Sequence, residues 1–165
     1  MADQLVCVKM PYLGHRRSFA PELLYLLEAS ETMAPIFSKL NLTTQKTILV
    51  LNSPDSFKEE LSTLSDIHII EDIKSASTLD FAIIFVSKKS QIDQLAPTLA
   101  KKVCGDAIVW FVYPKGTSKK YKCDFNRDNG WSTFKELGFD TVRQVAIDDD
   151  WSALRFRRVE FIGSR

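Results

Sequence analysis

Five carboxylates are grouped in the second half of the chain: Asp124, Asp128, Asp148, Asp149 and Asp150. Carboxylates in such numbers could do acid–base work or hold a cation. Their spacing lacks the alternating acids and central glycine of a calcium loop. A helix cap at Asp128 and a hairpin turn at 148–150 account for them as well. His15 and His68, the only histidines, lie far apart, and no serine stands in a G-x-S-x-G elbow. Cys7, Cys104 and Cys123 have no close metal or redox spacing, and they read as inert thiols in a reducing compartment. The sequence therefore calls for no metal, and it presents no catalytic set.

Nucleotide chemistry is tested at the first candidate strand end. The turn reads Leu51, Asn52, Ser53, Pro54, Asp55, without glycine. A phosphate loop uses glycines so that backbone amides can approach the ligand. Pro54 removes one amide, and Asp55 places negative charge at a helix start. The same gap argues against an ordinary S-adenosylmethionine loop, so no cofactor is expected. The PKGTSKK segment has neither the leading glycine nor the G-K-[ST] order. Lys115, Lys119, Lys120 and Lys122 read as a solvated loop.

The elements that would position these residues follow from apolar patterning. Ile48 to Leu51, Phe81 to Val86 and Ala107 to Tyr113 are almost purely apolar and do not alternate. That suits strands covered on both faces. Helical spacing follows the first two, with Ser53 and Ser87 as candidate caps, Pro97 expected to bend or shorten the second helix, and Gly105 as its stop. Ile67 to Ile70 reads as a further strand. Asp128 is expected to cap a short helix carrying Trp131 and Phe134, closed by Gly138. Thr141 to Ile147 and Ala153 to Phe161 read as an antiparallel hairpin with Arg143, Arg155 and Arg157 on its more exposed face. Trp151 at its tip is expected to fold over the sheet end, its indole bonded to a carboxylate. The predicted fold is a three-layer α/β, Rossmann-like open sheet, mainly parallel, with a C-terminal antiparallel β-hairpin at the edge. Residues 1–33 read as an extension packed on this domain, with a strand at Leu5 to Val8 and a helix at Pro21 to Ala29. Residues 34–165 form the domain itself.

The chain has 165 residues and a formal net charge of +1. There is no global pull toward nucleic acid, so that class of partner is disfavoured. No apolar run approaches the roughly 20 residues of a membrane span, and no signal-peptide pattern opens the chain. A cytoplasmic protein with no membrane partner is expected.

The set VWFVYPKG, DFNRDNGW and VRQVAIDDDWSALRFR, with PIFSKLNL and NSPDSF upstream, resembles the bacterial domain of unknown function 3052 family over roughly Ala34 to Arg158. That resemblance implies a compact Rossmann-like domain without assigned catalytic residues. The layout is also similar to that of S-adenosylmethionine-dependent methyltransferases. The expectation is a non-catalytic binding module for a partner protein or small molecule, leaning away from an enzyme. Its candidate site comprises Asn52, Tyr113, Lys115, Asp124, Asn126, Arg127, Asp128, Asp148, Trp151 and Arg155. The alternative is a divergent S-adenosylmethionine-dependent methyltransferase-like enzyme.

Overall fold

The computed structural model describes residues 33–163. The readings of a strand at Leu5 to Val8 and a helix at Pro21 to Ala29 lie outside the described residues. A short helix α1 (Pro35–Lys39) precedes β1 (Thr47–Leu51), α2 (Asp55–Ser62) and β2 (His68–Ile70). Then come β3 (Leu79–Phe85), α3 (Lys89–Lys102), β4 (Val103–Pro114), α4 (Ser132–Glu136), β5 (Phe139–Ala146) and β6 (Trp151–Arg158). The six strands form one sheet in the order β2-β1-β3-β4-β6-β5. The first four are parallel, while β6 runs antiparallel to both β4 and β5. This is the three-layer α/β fold expected, with the hairpin at the C-terminal edge.

The apolar runs do not alternate because both sheet faces are covered. Successive side chains of a strand point to opposite faces, so each face needs its own apolar partners. Ile48, Val50, Ile83, Phe85, Trp110 and Val112 pack with Phe37 of α1 and Phe57 and Leu61 of α2. Leu49, Ala82, Ile84, Val109 and Phe111 pack with Ile92, Ala96 and Leu99 of α3 and Phe134 of α4. Trp110 is fully buried and donates its indole N–H to the Leu40 carbonyl at 2.8 Å, which ties α1 to the sheet.

Five local expectations are corrected. Helix α2 begins at Asp55 with Pro54 at the cap position and no side-chain cap, so Ser53 does not cap it. Lys88, not Ser87, occupies the cap position of α3, and Gln91 accepts from both Ser87 and Lys88 amides. That helix runs through Pro97, which lies on its exposed face while Ile92, Ala96 and Leu99 hold the inner one. Gly105 and Cys104 belong to β4 and not to a helix end, and Cys104 is disulfide-bonded where an inert thiol was expected.

Candidate functional site

The strand order reverses direction between β1 and β3. The chain leaves β1 through α2 to reach β2 on one side, then passes from β3 through α3 to β4 on the other. Helices α2 and α3 accordingly pack on opposite faces. Such a switch point opens a crevice outside the carboxyl ends of the two strands, where open α/β sheets take ligands. Here its rim is Asn52 and Ser53 after β1, and Val86 and Ser87 after β3.

Asn52 makes the first turn in an unexpected way. Its φ is 57°, in the left-handed region normally left to glycine. Asparagine is one of the few other residues that visit this region routinely. Its Nδ2 donates to the Phe85 carbonyl at 3.3 Å and so joins the two strand ends that flank the crevice. The sharp turn therefore exists without a glycine, which removes part of the objection raised by the sequence. Glu71 was not among the candidates, yet it follows β2 directly, 19 positions after Asn52, and is exposed. An acidic residue about 20 positions beyond such a turn is the usual acceptor for a ribose hydroxyl in Rossmann folds. That spacing is readable in the sequence once the turn is recognised.

Beside the crevice, the end of β4 opens into a cavity of about 320 Å³. Tyr113, Lys115 and Asn126 line it together with Tyr121, Cys123 and Phe125. Burial pushes the Tyr113 hydroxyl pKa up, partly opposed by the Arg127 guanidinium, so the group is a neutral phenol at pH 7. That hydroxyl accepts from Gln144 Nε2 at 3.1 Å. Burial likewise raises the pKa of the Cys123 thiol. Lys115 is tied to the hairpin tip, its Nζ on the Asp148 carbonyl at 2.6 Å and its amide on the Asp150 carbonyl at 2.8 Å.

The loop from Asp124 to Asp128 is structurally committed. Asp124 accepts the Lys89 amide at 2.7 Å. Asn126 Oδ1 accepts the amides of Asp128 and Asn129, and the Trp131 indole donates to the carbonyls of Asn126 and Arg127 at 3.0 Å. Asp128 therefore caps no helix; α4 begins at Ser132 with Trp131 before it. Arg127 and Asp128 are exposed. At the hairpin tip Asp148 Oδ1 accepts the amides of Asp150 and Trp151, the turn role anticipated for it.

Trp151 departs from expectation. It is 6 % exposed and packs between Phe85 and Tyr121, at centroid distances of 5.2 and 4.8 Å. Its indole N–H is buried and has no hydrogen-bond partner among the described residues, so no carboxylate among them holds it. Arg155 stands apart from the other candidates. It pairs with Trp110 on β4, four residues along β6 from the tip. It is half-buried, on the same face of β6 as Arg157, while the intervening Leu154 and Phe156 are buried on the other. Among the described residues no group of three His, Cys, Asp or Glu side chains could hold a metal ion. No helix among them is long and apolar enough to cross a membrane.

The fold is a small Rossmann-like α/β fold of the kind seen in solved S-adenosylmethionine-dependent methyltransferases. The chain is similar to a SAM-dependent methyltransferase from Aquifex aeolicus, with 10% identity and a TM-score of 0.55, covering 86% of this chain and 100% of that one. It is also similar to PigF with SAH, with 9% identity and a TM-score of 0.50, covering 84% of this chain and 66% of that one. The sequence matches no family model and no curated protein. The resemblance to the domain of unknown function 3052 family thus holds only at the level of a Rossmann-like α/β fold. These likenesses also correct the expectation of a non-catalytic binding module and the leaning away from an enzyme. The layout that was weighed as secondary is the one the solved structures share across most of the chain.

Proposed function

We propose that the chain binds S-adenosylmethionine at the switch-point crevice and transfers its methyl group to a small substrate held beside β4. The observation that carries this reading is the left-handed turn at Asn52, followed 19 positions later by the exposed carboxylate of Glu71 at the end of β2. The donor set suits a nucleoside better than a pyrophosphate. The turn is one amide short at Pro54, and Asp55 at the start of α2 repels an anion. A sulfonium nucleoside brings no phosphate to be cradled. Asn52 holds the turn open toward the crevice, and Glu71 offers acceptors to a ribose diol.

When bound, S-adenosylmethionine supplies an electrophilic methyl group on sulfur. The chain's own part is to seat the adenosine and to present a substrate from the neighbouring cavity. There the neutral Tyr113 hydroxyl can donate or accept a hydrogen bond, and the Lys115 ammonium adds local positive charge. The test is calorimetric titration of the full chain with S-adenosylmethionine and S-adenosylhomocysteine. Saturable one-to-one binding is expected, weakened about tenfold or more by Glu71→Ala through loss of a hydrogen bond to a charged acceptor. Absence of saturable binding, or binding indifferent to Glu71→Ala, overturns the reading.

A further inference from the structure

The cavity beside β4 has a lining whose chemistry narrows what it can hold. Its volume, about 320 Å³, sits at the lower end of the roughly 300–1,000 Å³ range of small-molecule sites, which suits one ring and its substituents. Tyr113, Tyr121 and Phe125 supply aromatic rings to its wall. Phe125 packs edge-on against Trp131 at a centroid distance of 5.0 Å, and Tyr121 lies tilted on Trp151 at 4.8 Å. These rings are held in place by other aromatics, so a ligand need not order them.

The charge of the lining is one-sided. Lys115 and Lys122 border the cavity, and no carboxylate among the described residues does. Lys115 uses one of its three ammonium donors on the Asp148 carbonyl, at 2.6 Å. The carboxylates nearby are engaged elsewhere: Asp124 by the Lys89 amide, Asp148 by the amides of Asp150 and Trp151, and Asp150 by the Ser118 hydroxyl at 2.8 Å. Burial raises the pKa of both the Tyr113 hydroxyl and the Cys123 thiol, so neither adds negative charge at pH 7.

We infer that this cavity receives a single aromatic ring bearing one anionic oxygen group, the ring lying against Tyr121 and Phe125 and the oxygens beside Lys115 and Lys122. Aromatic walls favour a π-faced ligand through offset or edge contacts. Two ammonium groups at a partly enclosed site favour an anion. Naming this ligand as the methyl acceptor rests on the methyl-transfer reading; its recognition by the cavity does not.

The full chain is titrated with para-fluorobenzoate and para-fluorophenyl phosphate, with neutral para-fluorobenzyl alcohol as reference, and binding is followed by fluorine NMR. Saturable binding of at least one anion is expected, about fivefold or more tighter than that of the alcohol, and the tighter arm names the oxygen group. Acetate and inorganic phosphate, which lack a ring, should displace it only at much higher concentration. Lys122 is exposed, so Lys122→Glu keeps the fold while reversing a charge at the cavity. It should weaken anion binding about fivefold or more and leave the alcohol unaffected. No saturable binding of either anion, equal binding of the alcohol, equally effective displacement by the ringless anions, or indifference to Lys122→Glu overturns the inference. Calorimetric titration with S-adenosylmethionine separates the two readings. Aromatic-anion binding without S-adenosylmethionine binding upholds the cavity's ligand and overturns methyl transfer alone, and the reverse result overturns this inference alone.

Discussion

The carboxylate of Asp124 accepts the backbone N–H of Lys89 at 2.7 Å, from 35 residues away in the chain. Lys89 is the first residue of α3, and the first amides of a helix have no partner within it. The Asp124 amide donates in return to the Ser87 carbonyl at 3.2 Å. The loop that walls the β4 cavity is therefore fastened to the turn that rims the crevice. Two neighbouring parts of the proposed site are coupled through one carboxylate.

Asp124→Ala should cost about 1 kcal/mol, as other lost helix caps do. For a chain of this size that is roughly 2–4 °C in Tm. Asp124→Asn keeps an acceptor and should lose less than half as much. Thermal melts of the three proteins decide the matter, and equal melting of the alanine variant and the parent would remove the coupling.

Gly130 and Gly105 make a paired test of backbone against space. Both have positive φ, 91° and 55°. A Cβ on Gly130 would lie 2.7 Å from the Phe125 Cβ, whereas one on Gly105 meets nothing within 4 Å. Gly105→Ala should therefore cost about 1 kcal/mol, the left-handed penalty alone. Gly130→Ala adds a clash against a buried ring and should cost more than about 2 kcal/mol. Urea unfolding curves that rank the two the other way would contradict this account.

Trp151 carries a buried N–H without a partner among the described residues, within a cluster of Phe57, Phe85, Trp151 and Tyr121. Trp151→Phe loses apolar contact but also removes the unsatisfied donor. The two effects oppose each other and should leave stability within about 1 kcal/mol of the parent. Trp151→Ala removes the packing outright and should cost about 3–5 kcal/mol. Chemical denaturation in which phenylalanine is nearly as damaging as alanine would mean that the indole N–H is satisfied in solution.

The sheet was legible because Phe81 to Val86 and Ala107 to Tyr113 must bury both faces, and only a covered strand tolerates that. The hairpin was legible because charges interrupt its strands. What stayed hidden depends on contacts distant in sequence or on unusual backbone. The cap of α3 comes from Asp124, so neither Ser87 nor Ser53 could disclose how helices begin here. Asn52 conceals a glycine-like turn behind an ordinary side chain, and Glu71 carried no meaning until that turn was seen. Trp151 was chosen for its type, but its burial comes from Phe85 and Tyr121, neighbours distant in sequence that the hairpin pattern alone does not convey.

Asp93 ties α3 to α4 and gives the fold a pH signature. It accepts from Lys89 Nζ at 2.7 Å and from the Thr133 hydroxyl at 2.6 Å. The Lys89 hydrogen bond, then that of Thr133, holds its carboxyl below the ordinary aspartate value. A carboxyl depressed in the folded state stabilises the protein wherever the unfolded chain is also ionised. That contribution is full above about pH 5, starts to fall as the unfolded aspartate takes its proton near pH 4, and vanishes once the folded one does. The stability gap between parent and Asp93→Ala should thus hold constant from pH 7 to about 5 and narrow on further acidification. Both groups are well exposed, with side-chain exposures of 45 and 37 % for Lys89 and Asp93, so salt should shrink the gap too. Urea midpoints measured at several pH values would check this, and a gap that widens in acid would reverse the assigned sign.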